Sequence, residues 1–476
     1  MTTYRQVSRF DDGLAATDFT RASANCSVRE FNSQDLLPLL RANPSRYPFF
    51  LESAADGTPR GRYDILFAFP GEQMVLDASS HLTAPHTVET DDFLAELDRW
   101  WSRERVRNDS TGLPFRGGWF LLLGYELAGQ IEPTLNLHRP HSQPIAIAVR
   151  VPAALVRDRQ NGRLFAVAES GQESLLDIIA EDVGRGQTES ETGTTLAASL
   201  KEDAPEQYLS AIERTKRYIV DGDIFQANLS RAWCGKLKPD VSSADLYNRL
   251  RRSNPGSFAG LAVLDDMTIM SSSPERLLEI RGDAVQTRPI AGTRPRGHGQ
   301  IQDRQLSREL ITHPKERAEH IMLIDLERND LGRICQPGSI AVSELMVVES
   351  YAHVHHIVSN VRGKLREGVR PGQAIRAVFP GGTITGCPKV RCMEIINELE
   401  AAARGPYTGS MGYLNRDGSL DLNILIRTMV REGDVLSLRA GGGIVADSDP
   451  EKELAETRSK AKGMIKALDI GNEPCG

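Results

Sequence analysis

The stretch FPGGTITGCPKVRCMEIINELE, residues 379–400, decides how the rest of the chain is interpreted. Its glycines, Gly381, Gly382 and Gly386, permit backbone angles closed to other residues and let a ligand approach the main chain. Pro388 suits the first turn of a helix, where its missing N–H costs nothing. The stretch predicts a strand end, a glycine-rich turn and a helix whose N-terminus favours an anionic ligand. Taken alone, the same pattern is more typical of a tight surface turn before a core helix.

Composition indicates a globular protein and excludes several classes of function. The chain has 476 residues, so two domains or one large composite fold are expected. Its net charge is −7 and it contains no run of Lys or Arg, which disfavours nucleic acid as a partner. No apolar stretch approaches a membrane span, and the N-terminus has no signal-peptide core. Six cysteines without CxxC pairs suit a reducing compartment, so we expect a cytoplasmic protein.

The order of patterns along the chain predicts two α/β segments. Residues 1–183 carry short strands and an amphipathic helix but no catalytic constellation, so a structural or regulatory domain is expected. Residues 184–203 are rich in Gly, Ser, Thr and Glu and are predicted to be a linker. Residues 204–470 follow a helix-start signal and contain the polar patterns that suggest a site.

Two polar pairs within residues 204–470 are unusual for a purely structural segment. Gln226 and Asn228 share one face of a predicted strand, which a core face would not favour. Glu316 and Glu319 share a helix face, where like charges repel unless a cation lies between them. Both pairs therefore indicate a nearby ligand or ion.

The end of the chain combines a glycine run with a charged helix face. A predicted antiparallel meander over residues 407–440 is followed by three glycines whose bare N–H groups are expected to form an anion nest: Gly441, Gly442 and Gly443. The last predicted helix then places two acids and a lysine on one side: Glu453, Glu456 and Lys460.

A predicted strand over residues 347–361 holds three histidines. His353 and His355 share one face while His356 points to the other, so a zinc cluster lacks the geometry it needs. We expect one catalytic histidine among structural ones.

Taken in order, these pieces resemble the chorismate-utilising enzymes, a family that includes component I of anthranilate synthase and of aminodeoxychorismate synthase, isochorismate synthase and salicylate synthase. The resemblance covers residues 205–467 and rests on ordered motifs: DIFQANLS (223–230), SSPE (272–275), PIAGT (289–293), IDLERND (324–330), HVHH (353–356), the opening stretch, IRT (426–428) and AGGG (440–443). Residues 1–180 match more loosely. The resemblance implies a large α/β fold in which two packed antiparallel sheets are covered by helices and bind chorismate between them.

The resemblance also implies a role for each site residue. Mg²⁺ would be bound, directly or through water, by carboxylates, the ligands it prefers: Glu319, Glu456, Glu316 and Glu453. Substrate binding would fall to polar side chains and backbone N–H groups: Gln226, Thr383, Tyr407, Arg427, Lys460 and the three glycines 441–443. Acid–base catalysis at the C4 hydroxyl would fall to Glu275 and His356, with Thr383 bonding a substrate oxygen near the ring.

Two positions bear on which reaction the resemblance implies. Gln226 stands where members that add water carry a lysine base, so ammonia is the expected nucleophile and a glutaminase partner would supply it. Ala291 stands where many aminodeoxychorismate synthases carry a nucleophilic lysine, and alanine is usual in anthranilate synthases. The LES motif at 51–53 also resembles the tryptophan site of anthranilate synthases.

Four other motifs favour the aminodeoxychorismate form: FPGGTITG (379–386), Asn228, NPGSFAG (254–260) and GRYDIL (61–66). We therefore expect amination of chorismate at C4 to 4-amino-4-deoxychorismate, the precursor of p-aminobenzoate and folate, without a lysine adduct. Anthranilate formation is the alternative, and a non-catalytic chorismate-binding relative is the second alternative.

Overall fold

The structure is a computed structural model that describes residues 20–22, 25–54, 61–107, 111–185, 196–239, 241–297, 299–350 and 354–468. These ranges form two large antiparallel sheets, sheet A and sheet B, which pack against each other and are covered by helices. The expected fold class, an α/β fold with two packed antiparallel sheets, is confirmed.

Sheet A is the larger sheet, with thirteen strands among the described residues. Its strands follow one another in this order: β1 (Thr20–Ala22), β2 (Cys26–Asn32), β10 (Arg163–Glu169), β9 (Ala153–Asp158), β4 (Tyr63–Ala68), β3 (Phe49–Glu52), β13 (Phe258–Val263), β14 (Met267–Ser273), β23 (Thr428–Glu432), β24 (Val435–Ile444), β12 (Gln226–Leu237) and β11 (Ala197–Glu202). The short strand β20 (Gly386–Cys387) pairs with the start of β12.

Sheet B has eleven strands within the same described ranges. Its order is as follows: β17 (Ile290–Pro295), β19 (Val354–Lys364), β16 (Ala284–Arg288), β15 (Arg276–Arg281), β22 (Leu420–Asn423), β21 (Ser410–Asn415), β7 (Gly118–Leu123), β8 (Ala146–Val151), β5 (Gln73–Leu76) and β6 (Leu82–Thr83). Strand β18 (Ala341–Ser350) pairs with β19 alone.

The helices connect and cover the sheets: α1 (Leu37–Ala42), α2 (Phe93–Glu104), α3 (Ala128–Ile131), α4 (Ser174–Gly184), α5 (Pro205–Val220), α6 (Ser243–Ser253), α7 (Gln300–Thr312), α8 (Pro314–Gly332), α9 (Pro371–Val378), α10 (Lys389–Leu399) and α11 (Pro450–Leu468). Their starts follow local chemistry: the Asp92 carboxylate caps α2, and the Ser242 hydroxyl caps α6. No helix in the described part of the chain is long and apolar enough to cross a membrane.

Apolar side chains from both sheets fill the layer between them. Phe49 of β3 stacks on Phe120 of β7 with ring centroids 3.9 Å apart. Phe67 of β4 and Tyr413 of β21 belong to the same buried cluster. Because alternate residues of a strand point to opposite faces, one apolar face per strand is enough to build this layer.

The two segments predicted from the sequence share both sheets. In sheet A, β3 pairs with β13, and in sheet B, β7 pairs with β21. The predicted boundary at residues 184–203 therefore does not separate two cores. Residues 186–195 of the predicted linker lie outside the described residues, but β11 pairs with β12 in sheet A. The linker prediction is wrong for β11, because a short edge strand with one partner leaves little pattern in the sequence.

The predicted meander is interrupted where the chain changes sheets. Strand β22 belongs to sheet B and β23 to sheet A, and residues 424–427 connect them. Arg427 has a positive φ of 52° at this crossover. The continuous middle strand predicted here is wrong, because apolar alternation is the same whether a strand stays in its sheet or crosses to the facing one.

The histidine-containing strand is a pair of strands. Residues 341–350 form β18 and residues 354–364 form β19, which are antiparallel neighbours. His353 lies outside the described residues. The single strand predicted over 347–361 is wrong because no glycine or proline marks the reversal between the two strands.

Candidate active site

A cavity of about 560 Å³ lies at one end of the two sheets. Its walls come from β12 and β24 of sheet A, β17 and β19 of sheet B, helices α8 and α11, and the single 3₁₀ turn at Gly382–Ile384. Every predicted site residue except Gly442 lines it: Gln226, Glu275, Ala291, Glu316, Glu319, His356, Thr383, Tyr407, Arg427, Gly441, Gly443, Glu453, Glu456 and Lys460. The structure thus brings together residues that span more than two hundred positions of sequence.

Two polar atoms in the cavity wall are buried without a partner among the described residues. The Gln226 amide donates from Nε2 to Glu319 Oε1 at 2.8 Å, and the Asn228 amide donates from Nδ2 to the Thr383 carbonyl at 3.4 Å. These bonds orient both amides so that Gln226 Oε1 and Asn228 Oδ1 remain unpaired acceptors. An unpaired buried polar atom is costly, so this wall is built for polar groups of a ligand.

Glu275 is a buried carboxyl at the turn between β14 and β15. Its side chain is 3% exposed, and Oε1 accepts the Ile290 N–H at 3.2 Å. Burial raises the pKa of Glu275 to about 8, although the Ile290 N–H, the Thr383 side chain and the Arg427 charge act in the opposite direction. The side chain therefore carries a proton at neutral pH and can donate it.

His356 faces the same cavity as a neutral base. Burial and the positive charge of Arg427 lower the pKa of His356 to about 3, against a hydrogen bond with the Gly292 backbone. Arg427 Nη2 lies 3.5 Å from His356 Nε2. A neutral imidazole in this position can accept a proton.

Ala291 lies in an irregular part of β17. The register with β19 shifts between Ala291 and Thr293, and Gly292 has a φ of +68°. A Cβ atom on Gly292 would lie 2.6 Å from Glu316 Oε2, and the positive φ also favours glycine here. The bulge directs Ala291 into the cavity wall.

Four carboxylates face the cavity from two helices. On α8, Glu316 pairs with Arg294 at 3.1 Å, while Glu319 accepts the Gln226 amide. On α11, the carboxylates accept from a lysine and a hydroxyl: Glu456 from Lys460 at 2.8 Å, and Glu453 from Ser448 at 2.7 Å. Within the described ranges no three acidic, His or Cys groups are gathered closely enough to hold a metal. The donor set nevertheless fits Mg²⁺ in kind, since all four are hard oxygen ligands on one cavity.

The glycine run in β24 is an extended strand without the backbone geometry of a nest, and anion binding by its N–H groups stays a prediction. Gly441 and Gly443 lie opposite Ser230 and Asn228 of β12 in the antiparallel ladder, and a nest would need backbone of alternating hand. A Cβ atom on Gly443 would lie 2.1 Å from Gln226 Nε2, so glycine here makes room for the amide. The Gly441 carbonyl accepts from Lys460 at 2.9 Å.

The stretch at 379–400 differs in part from its prediction. It follows helix α9, not a strand, and only Thr383 and Ile384 of the stretch line the cavity. Gly386, with a φ of +136°, is required because a Cβ atom there would lie 2.1 Å from the Gln226 carbonyl oxygen. No described residue of α10 reaches the cavity, so the helix N-terminus is not the anion site.

Sequence reasoning missed two arginines of the wall, Arg294 and Arg439. Arg439 donates to the buried carboxylate of Glu400 at 2.8 Å, and its guanidinium lies over the Tyr407 ring. Burial raises the pKa of Tyr407 to about 12, so its hydroxyl remains a donor. Arginines clustered in residues 286–296 were the only signal for Arg294, and nothing near Arg439 in sequence indicates its partner.

Comparison with known proteins gives concordant matches. The sequence profile of the family described as chorismate binding enzyme matches residues 46–466. Aminodeoxychorismate synthase component 1 of Bacillus subtilis is 37% identical over 458 residues, covering 91% of this chain and 94% of that protein. Anthranilate synthase component 1 of Pseudomonas putida is 35% identical over 488 residues, covering 97% and 98% respectively.

A solved structure matches the fold as well. The crystal structure of anthranilate synthase component I from Streptococcus pneumoniae superposes with a TM-score of 0.76 at 30% identity. The match covers 86% of this chain and 93% of that one.

Proposed function

The chain belongs to the family of chorismate-binding enzymes, and within it we propose that this chain aminates chorismate at C4 to give 4-amino-4-deoxychorismate. It is a chorismate-utilising enzyme of the anthranilate synthase and aminodeoxychorismate synthase type. The choice between these two reactions is the proposal. It rests on the chemistry of the cavity wall and on the motifs around Thr383.

The observation that carries amination is the pair of unpaired acceptors on β12. Gln226 Oε1 and Asn228 Oδ1 are oriented by bonds that use their amide N–H groups, so they can only accept. Neither amide can remove a proton from water, whereas ammonia attacks through its own lone pair and offers N–H groups to acceptors. The wall therefore suits ammonia as the nucleophile.

The acid and base residues suit replacement of the C4 hydroxyl. Glu275 holds a proton at neutral pH and would give it to the departing hydroxyl, which leaves as water. The C4–O bond breaks, a C4–N bond forms, and the surplus proton of the attached nitrogen passes to the neutral His356 or back to Glu275. The net change is one ammonia consumed and one water released.

Charged residues would bind the two carboxylates of chorismate. Arg427 offers a planar fork and Lys460 a point charge for one of them. Mg²⁺ would be held by Glu319 and Glu456, with Glu316 and Glu453 ligating directly or through water. When bound, the ion would supply positive charge to the second substrate carboxylate. Lys460 pairs with Glu456 and Arg294 with Glu316, so two of these acids already have a cationic neighbour.

Anthranilate formation is the second candidate. Ala291 favours it, because the cavity has no lysine at the position where a covalent adduct would form. The names of the Pseudomonas putida and Streptococcus pneumoniae relatives favour it as well. The proposed C4 reaction must therefore proceed without an adduct at position 291. A glutaminase subunit in the cytoplasm would supply the ammonia in either case.

Product identification tests the proposal. The purified chain is incubated with chorismate, Mg²⁺ and ammonium, with and without added aminodeoxychorismate lyase. We expect p-aminobenzoate only when the lyase is present. Anthranilate fluorescence without the lyase would support the second candidate, and no loss of chorismate would support a non-catalytic binding protein. A Glu319→Ala variant as active as the wild type would overturn the metal assignment.

A further inference from the structure

Glu327 is a buried acid beneath the cavity that the proposed mechanism leaves unused. It lies on α8, is 4% exposed, and does not line the cavity. Its Oε2 accepts the Thr287 hydroxyl at 2.9 Å. The backbone N–H of Gly382 also donates to this carboxylate. Glu327 therefore ties the first residue of the Thr383-bearing turn to α8 and to β16.

The packing at this contact is tight. A Cβ atom on Gly382 would lie 2.5 Å from Leu326 Cδ2 and 3.2 Å from Glu327 Oε1. The turn therefore cannot move closer to α8. The hydrogen bond from the Gly382 N–H to Glu327 also keeps the turn from moving away from α8. Thr383, the next residue, projects into the cavity near Glu275.

The charged groups around Glu327 come from three further places. Asp330 follows on α8, and Lys389 of α10 donates to Asp330 and to the Val378 carbonyl. The charges of Glu327 and Arg427 both act on Glu275. Lys389 forms its ion pair with Asp330; the Asp330 charge opposes ionisation of Glu327 and the Lys389 charge favours it.

We propose that Glu327 is a positioning residue for the proton donor Glu275: it holds the Thr383 turn in place, and its negative charge opposes ionisation of Glu275. The inference rests on the acid role given to Glu275 under the proposed function. Two like charges in a buried site cannot both form cheaply, so the carboxylate with more stabilising partners ionises first. Glu327 accepts from the Thr287 hydroxyl and the Gly382 N–H and lies near the Lys389 charge, and these partners favour its ionisation against the repulsion of Asp330.

The direction of the shifts agrees with this order. Burial raises the pKa of both carboxyls, to about 8 for Glu275 and to about 7 for Glu327. Repulsion from Glu327 raises the pKa of Glu275 further, while Asp330 raises the pKa of Glu327 and Lys389, Thr287 and the Gly382 N–H lower it. Near neutral pH the pair therefore carries its proton on Glu275, where the reaction needs it.

Two substitutions separate charge from position. Glu327→Gln removes the charge but keeps an acceptor for Thr287 and Gly382, whereas Glu327→Asp keeps the charge and withdraws the carboxylate by one methylene. The rate of chorismate loss is measured against pH and expressed per free ammonia, so that titration of ammonium does not contribute. Near-ultraviolet circular dichroism checks that each variant is folded.

We expect Glu327→Gln to move the alkaline limb of kcat/KM to lower pH by roughly one unit, as removal of one like charge implies, with little loss at pH 6. Glu327→Asp should lower kcat at every pH and leave the limb in place. An unmoved limb in a folded Glu327→Gln variant would overturn the proposal. If that variant does not fold, Glu327→Asp decides: wild-type kcat would overturn the proposal, and a reduced kcat would support it.

The outcome is separable from that of the proposed function. Chorismate loss is followed irrespective of the product, so anthranilate as product would defeat the C4 proposal and leave the pH test intact. A Glu275→Gln variant that retains the alkaline limb would show instead that Glu275 is not the titrating acid.

Discussion

Two buried carboxyls, Glu400 and Glu275, differ in how their charge is stabilised. Glu400 accepts from Arg404 at 2.6 Å, Arg439 at 2.8 Å and the Ser230 N–H at 2.8 Å. Burial alone would raise the pKa of Glu400, yet Arg404 and Arg439 hold it below its usual range. Glu275 is equally buried and accepts from the Ile290 N–H at 3.2 Å and from the Thr383 side chain, but it has no paired arginine among the described residues, and burial raises its pKa to about 8.

Glu400 has a structural role, whereas Glu275 is suited to catalysis. Arg404 links Glu400 to the carbonyls of Ile384 and Asn228, and its own N–H donates to Glu126 of the N-terminal segment. This paired network holds β12, the turn and the N-terminal segment together. A carboxyl left without a cation contributes nothing comparable to stability, but it keeps a proton available for catalysis.

The largest expected effect comes from substituting Glu275, the carboxyl without an ion pair in the described part of the chain. Glu275→Gln should lower kcat by about 10²–10⁴-fold, the usual contribution of a general acid, because the amide cannot protonate the leaving hydroxyl. Its thermal midpoint should stay at or above that of the wild type, since a neutral amide replaces a carboxyl that resists ionisation. Activity within a few-fold of the wild type would remove Glu275 from the mechanism.

Substitutions in the network of Glu400 and Arg404 should lower the stability of the protein. Arg404→Met leaves Glu400 with one cation and should cost about 3–5 kcal/mol in the free energy of unfolding, measured by urea denaturation. The double variant Glu400→Gln/Arg404→Met is the matched control and should recover part of the loss, because no unpaired charge remains. A stable Arg404→Met variant would contradict the framework role.

A substitution of Gly382 tests the contact between the Thr383 turn and α8. A Cβ atom there would lie 2.5 Å from Leu326 Cδ2, so Gly382→Ala should cost about 1–3 kcal/mol through overpacking and lower kcat by displacing Thr383. Adding Leu326→Ala should restore part of the lost stability and part of the lost kcat. Gly382, which belongs to the FPGGTITG motif that favours the aminodeoxychorismate form, is thus also explained by packing.

The pH dependence of stability gives a further comparison of the two carboxyls. Glu275 has a raised pKa, so its stabilising contribution is complete below pH 4.5 and is lost as pH rises towards 8. Glu400 has a lowered pKa, so its contribution is present above pH 4.5 and is lost as pH falls through its folded value. Relative to the wild type, the urea midpoint of Glu275→Gln should therefore decline less as pH rises from 4.5 to 8. The urea midpoint of Glu400→Gln should decline less as pH falls below 4.5. Parallel profiles would contradict the comparison.

The sequence was sufficient to collect the cavity residues but not the network behind them. Residues such as Gln226, Glu275 and Arg427 stand in ordered motifs, so they could be predicted together. Glu400 ends the opening stretch and Arg404 follows it, but their partners lie on β12 and β24, which only the fold brings near. The crossover at residues 424–427 was missed for a related reason, since both sheets present the same apolar alternation.

Labelled ammonium tests the central claim most directly. The chain is supplied with chorismate, Mg²⁺ and nitrogen-15 ammonium, and the position of the label is determined by coupling to carbon in the product. The account predicts nitrogen-15 bonded to C4 of a product that retains its enolpyruvyl group. Nitrogen-15 at C2 of anthranilate, with release of pyruvate, would contradict it.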